Sequence, residues 1–268
     1  MAAVRRLLAA RRVGHAGTLD PAASGLLLVL VGRATRLARF TAGFPKRYEG
    51  MLRLGAETTT DDAAGEVTVT DASWRALDEG AVRRALADVA AREEQVPPAV
   101  SAKKVAGERA YRLARRGASP ALAPAAVRIH RLEVRGVALP DVAFGIECSS
   151  GTYVRAVARD AGRALGSRAH LAALRRTGIG PWRVEEAVAL EAATAASLAA
   201  ALRPLADLVA HLPRVDLAPE AAERVRHGRR IEAATAFEGP VALAAEGEVL
   251  AVAEYRDGAY APSVVLAS

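Results

Sequence analysis

The chain has 268 residues, 51% of them hydrophobic, with a mean hydropathy of +0.11, a net charge of +7 and a pI near 10.1. That length allows one large domain, or a main domain with a small appendage. No apolar run approaches the ~20 residues that a membrane span needs. Four arginines interrupt residues 1–13, where a leader would be apolar, and the single cysteine, Cys148, excludes an intramolecular disulfide framework and a cysteine-built zinc cluster. The composition is that of a cytoplasmic protein with no membrane partner.

The charge is unevenly spread. Residues 1–56 hold ten basic and two acidic side chains, residues 57–100 hold four and ten, and residues 103–116 hold six and one. Residues 149–183 add seven arginines against Asp160. Basic stretches separated by an acidic one predict a fold that gathers positive charge on one side, the footprint of a nucleic-acid binder.

In chain order, residues 4–12 read as a helix end, with Val4, Leu7 and Leu8 on one face and paired arginines on the other. A glycine-spaced loop follows, Gly14-His15-Ala16-Gly17-Thr18-Leu19-Asp20-Pro21-Ala22-Ala23-Ser24-Gly25. Pro21 fixes its own φ and pushes Asp20 toward an extended conformation, so the loop presents a carboxylate, an imidazole and a hydroxyl on a stiff base. Taken alone, an Asp-Pro such as Asp20-Pro21 reads first as an Asx-turn or helix cap. Residues 26–31, all Leu or Val, read as a strand buried on both faces. Residues 34–42 read as a short helix, with Arg33, Arg36 and Arg39 sharing one face.

Residues 46–55, opening Lys46-Arg47-Tyr48, read as a strand, and residues 58–65 as a loop. Asp78 is placed to cap a helix over residues 79–94, which Pro97-Pro98 stops. A basic stretch containing Lys103 and Lys104 follows, then a Pro/Ala linker over residues 118–124. Residues 127–137 and 142–148 alternate as strands. Gly151-Thr152-Tyr153-Val154-Arg155 opens a helix that Gly166 closes, and a second helix is expected over residues 168–176. A strand over residues 181–188 and an Ala-rich helix over residues 191–202 complete the main body. Beyond Leu212-Pro213 the chain turns net acidic, with strand-like runs over residues 240–244, 249–255 and 260–266, the pattern of a small β-rich appendage.

The Asp20 loop, the Lys46-Arg47-Tyr48 strand and the Gly151-Thr152-Tyr153-Val154-Arg155 turn occur in an order that resembles the TruB family of tRNA pseudouridine synthases. The resemblance implies an α+β fold. Residues 1–211 would form a catalytic domain on a mixed, mostly antiparallel sheet flanked by helices and loops, with a thumb-like insertion at about residues 97–125. Residues 212–268 would form a PUA-like domain. It implies isomerisation of uridine to pseudouridine at position 55 of tRNA, with the T stem-loop as partner, by a monomer using no cofactor and no metal.

The same resemblance assigns roles. Asp20 is the nucleophile, attacking either the base or the sugar carbon, and Arg155 its counter-cation. Tyr48 stacks on the uracil and accepts the C5 proton. Tyr153 and Leu174 line the base pocket, His15 fills the space left by the flipped base, and Lys103 and Lys104 contact the RNA. Family members begin with a strand bearing a Lys-Pro-Gly-like motif, whereas Met1 falls inside the following helix, so that strand is expected to be missing. The alternative reading is a tRNA-binding or tRNA-folding module with reduced catalysis.

Overall fold

The structure, a computed structural model, describes residues 1–101, 104–105, 108–109 and 122–266. Lys103 and most of the expected thumb-like insertion lie outside the described residues. Helix accounts for 28% and strand for 37% of the described residues. In chain order the first elements are α1 (Ala2–Leu7), β1 (Val13–Ala16), β2 (Ala23–Gly25), β3 (Leu28–Val31), β4 (Lys46–Leu54), β5 (Ala56–Thr58), β6 (Val67–Thr70) and α2 (Glu79–Ala90). Then come β7 (Ile129–Ala138), β8 (Asp141–Cys148), α3 (Val154–Ala164), β9 (Ala169–Ile179) and β10 (Trp182–Arg183). The last are α4 (Ala195–Ala200), β11 (Arg214–Asp216), α5 (Pro219–Arg226), β12 (Ile231–Glu232), β13 (Pro240–Ala245), β14 (Glu248–Arg256) and β15 (Ala259–Val265).

The chain forms two compact units, one of Leu19–Leu26 with Phe44–Glu186 and one of Met1–Thr18, Leu27–Gly43 and Ala187–Ser268. The first is built on a sheet of order β7-β8-β4-β9-β10, antiparallel throughout, to which β2 adds in parallel along β9. Every second residue of β8 from Val142 to Cys148 is buried, as the pleat requires. These side chains, with Leu52 and Leu171, meet Val82, Leu86, Val157 and Ala161 of α2 and α3. α2 begins as its sequence predicts, with the Asp78 carboxylate accepting from the Ala81 amide at 2.6 Å. It ends at Ala90 rather than Glu94, because Glu94–Gln95 pairs as a strand with Ala125–Ala126.

Residues 168–176 depart most from expectation. They form no helix; most of them belong to β9. Ala, Leu and Arg favour helix, yet this segment hydrogen-bonds to β4 on one edge and to β2 on the other, and tertiary pairing overrides local preference.

Smaller departures occur elsewhere in the chain. Strand structure in residues 26–31 begins only at Leu28, and β3 pairs with β1 alone, so the run is not buried on both faces. Residues 32–43 form a 3₁₀ stretch in place of the expected α-helix. α1 stops at Leu7 because the chain turns at Ala9, whose φ is +47°. Strand structure in residues 181–188 is limited to Trp182–Arg183, and the Ala-rich helix starts only at Ala195, where Thr194 and Ser197 form a capping box.

In the second unit a five-stranded sheet of order β11-β13-β14-β15-β12 curls into a half-barrel, with Ala222 and Val225 of α5 packed on Val241, Leu243 and Tyr260. The three strands expected near the C-terminus are β13, β14 and β15. Their turns, Glu246-Gly247 and Asp257-Gly258, put both residues at positive φ, as a two-residue hairpin needs. The 3.0-residue period of the 3₁₀ stretch aligns Arg33, Arg36 and Arg39, as predicted. Their guanidiniums donate to Leu266 O at 2.9 Å, Val265 O at 2.5 Å and Ser263 Oγ at 2.7 Å. These three cations clamp the last strand.

Gly25 sits at φ +102°, and a Cβ there would lie 2.3 Å from the Arg176 carbonyl oxygen. Gly25→Ala is therefore expected to destabilise the chain by about 3 kcal/mol, combining backbone strain with a clash that neither backbone can relieve. Gly247→Ala, at φ +85° in open space, should cost only about 1 kcal/mol. Urea-unfolding midpoints of the two variants check the contrast.

Candidate active site

Asp20 lies just before β2, and β2 is held by β9 through the pairs Ala23–Leu174, Ser24–Arg175 and Gly25–Arg176. Pro21 and the short parallel ladder thus give the carboxylate a fixed base. Opposite it, Arg155 stands in the first turn of α3, its side chain 5% exposed against 35% for Asp20. Arg155 Nε donates to Asp20 Oδ2 at 2.8 Å and Nη2 to Oδ1 at 3.0 Å, a two-pronged pair. The rest of the guanidinium is also engaged, Nη1 with Thr60 O at 2.7 Å and Nη2 with Val100 O at 3.1 Å.

A second carboxylate stands nearby. Asp62 Oδ2 is 3.7 Å from Arg155 Nε, and Asp62 Oδ1 accepts from Thr60 Oγ1 at 2.6 Å and from the Ala64 amide at 3.0 Å. Asp20, Ala22, Ala23, Asp62, Arg155 and Leu174 line one hollow. A single buried cation therefore faces two carboxylates, one partly exposed and one buried.

Arg155 is the first of three arginines spaced by four along α3. Arg159 Nη1 meets Asp61 Oδ2 at 2.8 Å, its Nε meets Asp160 Oδ1 at 2.9 Å, and its Nη2 donates to Val96 O at 2.8 Å. Arg163 grips both oxygens of Glu57 at 2.9 and 3.1 Å. The helix thereby pins the β5–β6 connection that carries Asp61 and Asp62. Burial pushes the Asp61 carboxyl above the usual range, with Arg159 opposing it, whereas the hydrogen bond from Arg163 holds Glu57 below that range.

Tyr48 lies on β4, opposite Ile146 of β8 and Arg176 of β9, and packs against the core. Burial raises its phenol above the usual value, and Cys148 adds to the rise; the Arg176 charge and hydrogen bond act the other way, and Asp20 raises it further. Leu174 packs on the same core. Tyr153 precedes α3, its amide donating to Gln95 Oε1 at 2.9 Å. His15 lies on β1 in the other unit, exposed and in register with Val29. Lys104 belongs to a two-residue strand paired with Glu108–Arg109, and Lys103 lies outside the described residues.

The structure thus brings Asp20, Arg155 and Leu174 around one hollow, with Tyr48 on an adjacent strand. Asp62, Arg159 and Arg176 escaped the sequence reading. The i, i+4, i+8 spacing of Arg155, Arg159 and Arg163 on a helix with alanines at its core face was the available signal, matched by the Asp61-Asp62 pair between β5 and β6. Among the described residues no group of His, Cys, Asp and Glu could hold a metal, and no helix is long and apolar enough to cross a membrane.

The sheet and its flanking helices are a pseudouridine synthase fold. One solved structure with this architecture is that of an H/ACA RNP bound to a substrate RNA containing 2′-deoxyuridine, with a TM-score of 0.74 at 21% identity, covering 100% of this chain and 80% of that one. The model of the TruB family pseudouridylate synthase N-terminal domain matches residues 5–154, and that of the tRNA pseudouridine synthase II C-terminal domain matches residues 212–267. Proteins named tRNA pseudouridine synthase B from Thermobifida fusca (strain YX) and Arthrobacter sp. (strain FB24) are 47% and 42% identical over 277 and 283 residues. Those alignments cover 100% and 98% of this chain and 93% and 90% of the relatives. The chain belongs to the TruB family of pseudouridine synthases.

Removing Arg159 takes the close ion-pair partner from the partly buried Asp61. Arg159→Met is expected to cost about 3 kcal/mol at pH 7.5, the scale of an uncompensated buried charge. An Asp61 carboxyl raised above its unfolded value binds more protons in the native state, so the loss should shrink as pH falls through its folded pKa. Urea unfolding of the variant and the parent across acid and neutral pH measures this.

Proposed function

We propose that the chain isomerises uridine to pseudouridine in tRNA, at position 55 of the T stem-loop, with Asp20 as the nucleophile. The observation that carries this reading is the two-pronged Asp20–Arg155 pair at 2.8 and 3.0 Å in a chain of this family. The reaction breaks the N1–C1′ bond, turns the uracil and joins C5 to C1′; C5 loses a proton and N1 gains one, with no net redox change. It calls for an ionised carboxylate, a surface for the detached base, and a proton acceptor.

Asp20 provides the carboxylate, and it attacks either the base or the sugar carbon. Arg155 orients that carboxylate through two hydrogen bonds and balances its charge. Because the guanidinium stays charged throughout, no proton is traded between the two. Leu174 and Tyr153 line the base pocket, and Tyr48 stacks on the uracil. The Tyr48 oxygen receives the C5 proton, which requires the phenolate, so groups that favour that form bear on the rate. The target base leaves its stack at a cost of a few kcal/mol, with His15 filling the vacated space. Lys103 and Lys104 contact RNA phosphates. The enzyme acts as a monomer in the cytoplasm.

The purified chain, mixed with an unmodified tRNA transcript, should form pseudouridine at position 55. Asp20→Asn should slow single turnover by about 1,000-fold or more while tRNA affinity stays within about threefold. Equal rates in both, or no product from the parent, would contradict the assignment.

A further inference from the structure

Arg176 is 1% exposed and lies in the middle of the catalytic unit's sheet, on a strand flanked on both sides by elements of the site. On one edge of β9 it is in register with Gly25, at the exit of the Asp20 loop. There its carbonyl accepts from the Leu26 amide at 2.8 Å, and its own Nε donates back to Leu26 O at 2.7 Å. On the other edge it is in register with Tyr48, so the two side chains stand as cross-strand neighbours on one face of the sheet. One buried, permanently charged fork thus bonds the segment that carries the nucleophile and neighbours the group assigned to take the proton.

We propose that Arg176 is a positioning residue, whose guanidinium locks the Asp20 loop and the Tyr48 phenol into one frame. The inference rests on the isomerase reading above and deepens it. A neutral side chain of the same size would leave buried acceptors unpaired, and a bare ammonium lacks the planar fork that serves two partners at once.

The charge has a second consequence. The groups acting on the Tyr48 phenol are Cys148 of β8, Arg176 of β9 and Asp20 ahead of β2. Burial, Cys148 and Asp20 favour the neutral phenol, and Arg176 favours the phenolate. Lys46 is itself pushed below its ordinary value, by burial and then by Arg176.

Two readouts test the proposal on the full chain. The first is ultraviolet titration of Tyr48 without RNA, taken as the difference between each protein and its Tyr48→Phe counterpart. The second is the single-turnover rate on the tRNA transcript as a function of pH. In Arg176→Gln, Tyr48 should ionise about one pH unit or more higher, and the rising limb of the rate should move the same way. The rate at pH 7.5 should fall about tenfold, with tRNA affinity within about twofold.

Arg176→Lys keeps the charge and loses the fork. Its Tyr48 titration should stay near that of the parent, while its rate falls severalfold. If melting shows that Arg176→Gln does not fold, Arg176→Lys decides. Parental rates in the folded variants, or an unmoved Tyr48 titration in folded Arg176→Gln, would overturn the proposal. A parent that forms no pseudouridine would instead overturn the isomerase reading, and the titration would still report on the Arg176–Tyr48 contact.

Discussion

The buried guanidinium of Arg155 is the constraint on which the rest of the site depends. It lies almost wholly out of water, where an unpaired charge would be costly. The fold surrounds it with acceptors: both oxygens of Asp20, the carbonyls of Thr60 and Val100, and Asp62 at longer range. These come from three separate stretches of chain, each led to the same point by its own element. β2 carries Asp20 in along β9, the β5–β6 connection brings Thr60 and Asp62, and Val100 follows the short strand Glu94–Gln95. Satisfying one cation therefore assembles the site.

The remaining arginines of α3 extend the same principle along the helix. Arg159 and Arg163 fasten Asp61 and Glu57 one and two turns beyond Arg155, so the acidic connection cannot drift from the helix without stranding charge. Arg176 works from the sheet, on β9, between the Asp20 loop and Tyr48. The catalytic frame is thus held by guanidiniums from both α3 and β9. Along α3 each planar fork serves two or more acceptors at fixed spacing, which a flexible ammonium cannot do.

Much of this was legible in the sequence, and the pattern of what was not is physical. The Asp20 loop, the strand bearing Tyr48, the alternating strands β7 and β8, the Asp78 cap and the last three strands carry local signals: turn residues, period-two burial and a side-chain cap. β9 carries none, because Ala169 to Arg176 has helical preferences and becomes a strand only between β2 and β4. Charge position was equally opaque. Arg33, Arg36 and Arg39 look in sequence like a surface for polyanions, yet they hold the backbone and Ser263 of the final strand. Asp61 and Asp62 look like loop acids, and only the fold shows which buried cations they serve.

The most direct measurement of the central claim is the single-turnover rate of Arg155→Lys on unmodified tRNA, with melting temperature and tRNA affinity as controls. The lysine keeps a positive charge but cannot span two carboxylate oxygens and two carbonyls. The account predicts a folded protein of near-parental tRNA affinity whose rate falls about 100-fold or more. A folded Arg155→Lys protein that forms pseudouridine at the parental rate would contradict it.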